Sequence, residues 1–153
     1  GTATRHLPMV ADGAVFASTY DGSIAIEAAT GVVRWRTGTR GGYAAGGGAI
    51  AGGAWIIDAG DYQEPKLTAM DLATGEVLWS TKDAGASEGF AVAGDLVVGR
   101  STYSMSGYDL TTGEKLWDGG TPDTSTYTNG APAIAAGKVF VSTRDGIRAY
   151  GLP

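Results

Sequence analysis

The sequence predicts an all-β fold, a β-propeller of four-stranded antiparallel blades, and three observations predict it. One strand–turn–strand unit recurs along the chain, and its copies centred on Val10, Ile50, Val92 and Ile134 stand 40, 42 and 42 residues apart. Three of the units end in Thr-Gly-x-x-x-Trp. Glycine contributes 26 of 153 residues, more than twice the usual share of about 7%. Helix interiors disfavour glycine, whereas turns and close backbone approaches favour it. A period near 40 residues with several short strands per unit belongs to propellers rather than to helical solenoids.

Each unit reads as strands A to D. Strand A is a short apolar run rich in alanine, and strand B alternates apolar and polar residues. The A–B turns are Asp12-Gly13, Gly52-Gly53, Gly94-Asp95 and Ala136-Gly137, all chemistry for tight hairpins. Small residues suit strand A because innermost strands crowd a central axis. Strand C ends at Glu27, Asp71 or Asp109, followed by the turns Thr30-Gly31, Thr74-Gly75 and Thr112-Gly113. The acidic residue is expected to accept backbone N–H bonds and close the turn. Strand D carries Trp35, Trp79 or Trp117. Each is expected to wedge between adjacent blades with its indole N–H on a backbone carbonyl. Trp55 falls off this pattern, on strand B, and is expected to pack between sheets. The blades so read span about residues 7–38, 43–82, 89–119 and 130–153.

Composition narrows the function classes. The net charge is −5, which gives no electrostatic footprint for nucleic acid. No apolar run reaches the roughly 18 residues that a spanning helix needs. Cysteine is absent, so the segment holds neither disulfides nor thiolate metal sites.

The run from Asp21-Gly22 through Glu27 and Thr30-Gly31 to Trp35 resembles the pyrroloquinoline-quinone (PQQ) enzyme repeat. Asp145-Gly146-Ile147-Arg148-Ala149-Tyr150 repeats its first half. The resemblance covers essentially the whole chain and implies a propeller that closes with about seven or eight blades. The fourth unit stops after strand C, so the chain reads as part or half of a larger ring. Additional blades would complete it. Alternatively, Thr2–His6 supplies the missing strand, and the chain closes on itself or pairs with a second copy.

The resemblance implies two kinds of function. One is that of quinone-dependent dehydrogenases, which use a calcium-type ion held by acidic and Asn side chains, a catalytic Asp and in many members a vicinal disulfide. The other is that of non-catalytic propellers, such as BamB-like lipoproteins of outer-membrane assembly and the extracellular sensor domains of bacterial receptor kinases. With no cysteine for the disulfide and no catalytic constellation, the second is expected: an extracytoplasmic sensor or scaffold without PQQ or calcium. The alternative is a fragment of a PQQ-dependent dehydrogenase whose site lies largely in other blades.

Other motifs read as structure. His6 is the lone histidine, and no nucleophilic triad is built on it. Gly46-Gly47-Gly48-Ala49-Ile50-Ala51 matches a dinucleotide fingerprint in letters only, because it aligns with strand A rather than with a strand–turn–helix. The second unit carries about four extra residues within Asp58–Pro65. Asp58, Asp61 and Glu64 there are the weak metal candidates, read in preference as a solvated acidic loop. The B–C and D–A connections are long and differ between blades, and such loops on a rigid scaffold carry binding. The candidate binding face is therefore Tyr20, Arg40, Tyr62, Tyr103, Tyr127 and Arg144, with Arg100 beside them, for a protein or small-molecule ligand.

Overall fold

In the computed structural model, alternating apolar residues form strands throughout, and no helix occurs among the described residues, which are 7–19, 21–42, 48–59, 66–82, 89–100, 105–119, 130–143 and 146–151. The first sheet orders β1 (Met9–Ala11), β2 (Ala14–Thr19), β3 (Gly22–Glu27) and β4 (Val33–Thr37) as an antiparallel meander. The second repeats this with β5 (Ala49–Ala51), β6 (Ala54–Asp58), β7 (Lys66–Asp71) and β8 (Val77–Lys82). The third has β9 (Gly89–Ala93), β10 (Leu96–Arg100), β11 (Met105–Asp109) and β12 (Lys115–Asp118). The fourth has only β13 (Ala133–Ala135), β14 (Lys138–Thr143) and β15 (Gly146–Gly151).

The first strands touch one another in succession, β1 against β5, β5 against β9 and β9 against β13. They therefore line the inner side of the arc, as their alanines require. The A–B turns reverse the chain in two residues. Asp12 and Gly13 take φ of 46° and 70°, and Ala136 and Gly137 take 49° and 67°. Such positive φ at both positions matches the right-handed twist of the flanking strands.

The core lies between blades, in three layers. Phe16 and Trp35 of the first sheet meet Trp55, Ile57, Met70 and Leu72 of the second. Ile56, Leu67 and Trp79 of the second meet Val97, Tyr108 and Leu110 of the third. Val98 and Met105 of the third meet Val139 and Val141 of the fourth. Trp55, 1% exposed, stacks obliquely on Phe16 and Trp35 at ring distances of 5.6 and 6.3 Å. This is the inter-sheet packing expected of it. Buried aromatics of this size bury about 150–250 Å² each, so side-chain packing carries much of the contact between sheets.

Candidate binding face

The C–D turns separate the residues that build blades from those left over to bind. In the second turn, Asp71 Oδ1 accepts the backbone N–H of Ala73 (2.9 Å) and Thr74 (2.8 Å) and the Thr74 hydroxyl (3.1 Å). The third turn reproduces this set on Asp109, from Thr111, Thr112 and the Thr112 hydroxyl, at 2.9, 2.8 and 3.0 Å. The Thr74 N–H and hydroxyl, then the Ala73 N–H, hold the Asp71 carboxyl below its ordinary range, and those of Thr112 and Thr111 do the same for Asp109. Each donor favours the charged form.

Glu27 differs. Its longer side chain takes the Arg34 guanidinium instead of the turn, and Arg34 also donates to the Asp12 carbonyl at 2.9 Å. The first C–D turn then closes through backbone bonds, Gly31 N–H to Glu27 O (2.9 Å) and Glu27 N–H to Val32 O (2.7 Å). The expected turn-capping role therefore belongs to the two aspartates. An extra methylene carries the Glu27 carboxylate past the turn's N–H groups to a cation.

The tryptophans dock as predicted at two interfaces. Trp35 donates its indole N–H to Leu72 O at 2.9 Å, and Trp79 donates to Leu110 O at 2.8 Å. Both are 8% exposed. The glycine of the next blade's Thr-Gly turn lies flat against each ring. A Cβ on Gly75 would fall 2.6 Å from the Trp35 ring, and one on Gly113 would fall 2.5 Å from the Trp79 ring. Trp117 is the exception. It is half-buried, and its indole N–H, itself shielded from water, has no acceptor. The ring leans back on its own sheet, with Nε1 2.1 Å from where a Cβ on Gly107 would be. The first two blades place Ala25 and Ala69 at that cross-strand position.

Two parts of this joint were missed in the sequence: the acceptor carbonyls of Leu72 and Leu110, and the glycines as seats for the rings. The leucine recurs one residue after the aspartate, which was a usable signal. The Gly–Trp pairing crosses about 40 residues and shows only in three dimensions.

On the loop face, Arg40 is exposed and lines a groove of about 350 Å³ with Thr39, Ala59, Lys66, Thr68 and Ser80. Arg100 is not on the surface. It is 5% exposed at the end of β10, and its guanidinium donates to Gly130 O at 3.2 Å, tying one loop base to another. Tyr20, Tyr62, Tyr103, Tyr127 and Arg144 lie outside the described residues, as do Thr2–His6, Asp61 and Glu64. Asp58 is 4% exposed at the end of β6, and its carbonyl accepts the Gly42 N–H at 2.6 Å. Among the described residues, no three His, Cys, Asp or Glu side chains gather as a metal site.

The family model for the outer membrane protein assembly factor BamB matches residues 20–152. No curated protein matches the sequence. BamB from Moraxella catarrhalis is similar in structure, with a TM-score of 0.68 and 15% identity over 94% of this chain and 47% of that one. This chain thus spans about half the length of that relative. The computationally designed Ika4 protein has a TM-score of 0.70 at 14% identity, over 99% of this chain and 92% of the other. Quinohemoprotein alcohol dehydrogenase from Comamonas testosteroni has 0.66 at 20% identity, over 93% and 29%. At such identities the likeness is one of fold.

Proposed function

The chain belongs to the PQQ-repeat β-propeller family of the outer membrane assembly factor BamB, and from that membership we propose that it is a non-catalytic binding propeller. In this reading it works outside the cytoplasm, as a sensor or an assembly scaffold. One observation carries the proposal: the recurring polar and aromatic residues are engaged in architecture. Asp71 and Asp109 close turns, and Trp35 and Trp79 fasten one blade to the next. Fold alone does not bring chemistry with it, and these side chains are occupied.

What varies between blades is the loop face. Its groove sets the exposed Arg40 beside Lys66, Thr39, Thr68 and Ser80, with the Thr68 and Ser80 hydroxyls bonded to each other at 2.9 Å. That lining suits an acidic or hydrogen-bonding partner, either a protein segment or a small molecule. The description of the matched family as an assembly factor supports a protein partner. Kinship with an outer membrane assembly factor supports a place beyond the cytoplasm.

The decisive test is a titration of the full-length protein with PQQ plus calcium, read by calorimetry and by reduction of an acceptor dye. The expected result is no heat of binding and no dye reduction. Tight stoichiometric binding with dye reduction would replace the proposal with the reading of a PQQ-dependent dehydrogenase fragment. Fusion of the full-length protein to a reporter active only outside the cytoplasm tests the compartment, and activity is expected.

A further inference from the structure

Two side chains depart from the repeat, and the fold brings them to one point. The strand registers equate Trp55 of β6 with Val15, Val97 and Val139, and Met9 of β1 with Ala49, Ala91 and Ala133. Trp55 belongs to the layer between the first and second sheets, and Met9 packs against that layer. The two come together around Gly48, the residue before β5. A Cβ on Gly48 would stand 2.5 Å from Trp55 Nε1 and 3.0 Å from Met9 Sδ. A bare Cα is what leaves room there for both.

Trp55 is buried, and its indole N–H is shielded from water with no acceptor among the described residues. Trp35, on the facing sheet of the same joint, has the Leu72 carbonyl for its own N–H. A buried donor left unpaired is costly. The Met9 thioether beside it is only a weak acceptor, and the indole makes no hydrogen bond to it. Met9 is also the methionine that a solute reaches most readily. Met70 and Met105 are buried, whereas Met9 is part-buried. Its counterparts Ala49 and Ala91 are part-buried too, and Ala133 is exposed. This partial exposure therefore belongs to the inner side of the arc in every blade.

We infer that Met9 is a site of reversible oxidation whose sulfoxide completes this joint. The oxidant is a hydroperoxide. Its distal oxygen passes to Sδ: an S–O bond forms, the O–O bond breaks, and the hydroperoxide proton goes to the departing oxygen, which leaves as an alcohol or water. The sulfur gives up two electrons and the peroxide takes them. Oxidation makes an apolar side chain polar and ordinarily disrupts a core. Here the new oxygen is a strong acceptor placed beside a donor that lacks one. In one of the two sulfoxide epimers the S–O bond projects toward Trp55 Nε1, and the resulting hydrogen bond fastens the first sheet to the second. The inference does not depend on what the loop face binds.

Hydrogen peroxide is the probe, added to the folded full-length protein with ¹⁵N-labelled indoles. Peptide mapping by mass spectrometry gives the order of oxidation, and Trp55→Phe assigns the Trp55 resonance. Met9 is expected to gain one oxygen before Met70 and Met105. As it does, the Trp55 indole resonance should move downfield in proportion, while the Trp35 indole keeps its protection from exchange. The thermal midpoint should hold or rise as Met9 is oxidised, and it should fall in Trp55→Phe, where the sulfoxide has no donor. Met9→Leu removes the sulfur and keeps the bulk, so peroxide should leave Trp55 of that variant unmoved. Oxidation of Met70 or Met105 first, a Trp55 resonance indifferent to Met9 oxidation, or a shift that survives Met9→Leu overturns the inference. So does a fall in the midpoint, or a loss of Trp35 protection, on oxidation of Met9 with Trp55 in place, because the sulfoxide would then part the sheets instead of joining them.

Discussion

Trp35, Trp79 and Trp117 occupy the same position in three copies of one unit, so differences among them measure their surroundings. Trp35 and Trp79 each combine ring burial with a hydrogen bond to a leucine carbonyl. Trp→Ala at either site should cost about 3–5 kcal/mol. Trp79→Phe keeps most of the ring but orphans the Leu110 carbonyl, and should cost about 1–3 kcal/mol. Trp117→Phe removes an N–H that has no acceptor, so chemical denaturation should show the smaller loss. The aspartates make a second residue-scale prediction. Asp71 and Asp109 have folded pKa values below their ordinary value of 3.8, chiefly through the Thr74 and Thr112 donors. A depressed folded pKa stabilises above the unfolded pKa, and that contribution is lost as pH falls through the folded value. Between about pH 5 and pH 3, urea midpoints should therefore fall. The double variant Asp71→Asn, Asp109→Asn should show a shallower fall over the same interval.

At the scale of the element, the Thr-Gly turn does two jobs that mutation can separate. Its glycine holds a φ near 75° in the second blade, which costs any other residue about 1–3 kcal/mol. It also presents a bare backbone to the preceding tryptophan. Gly31 has only the first constraint, because nothing lies within 4 Å of its missing side chain. Gly75 has both, with the Trp35 ring at 2.6 Å. Gly31→Ala should thus cost only the backbone strain, and Gly75→Ala should cost that plus the displacement of Trp35, a loss at least about 1 kcal/mol larger. Thermal melts of the two variants give the comparison, and equal losses would mean that the ring contact contributes nothing. The turn also explains what could be read beforehand. Its spacing is local, so strands C and D, their boundary residues and the tryptophan positions were visible as a repeat. The carboxylate geometry at Asp71 and Asp109 followed from residue type and offset. Glu27 did not, because its preference for Arg34 depends on a cation that the hairpin brings across from seven residues away.

For the whole molecule, the architecture was readable because a propeller repeats one short-range pattern, and four copies reinforce each other where a single copy is ambiguous. The candidate binding face was less so. Arg40 lies exposed at a groove while Arg100 is buried at a strand end, although both are loop-adjacent arginines in the sequence. Burial at a loop base depends on how neighbouring blades close over it, which no local pattern encodes. The same logic governs the ends of the arc. Faces that are core inside the molecule become surface at its limits. Val10 on the leading face of the first sheet is 70% exposed, and Ile147 on the trailing face of the fourth is 75% exposed. Ala149 is also exposed there and its partner Phe140 is only part-buried, where their counterparts Phe16 and Ala25 are fully buried. Two apolar faces shaped to stack on a blade, one at each end, make a heterologous contact between copies the expected route of self-association. Val10→Lys or Ile147→Lys places a charge on one partner of that contact without touching any internal core. Each should leave the thermal midpoint unchanged, within about 0.5 kcal/mol of stability, while light scattering shows less association at the same concentration. The two changes act on opposite faces of one joint, so the double variant should gain little beyond the better single one. Additive gains would instead mean that each face associates with itself.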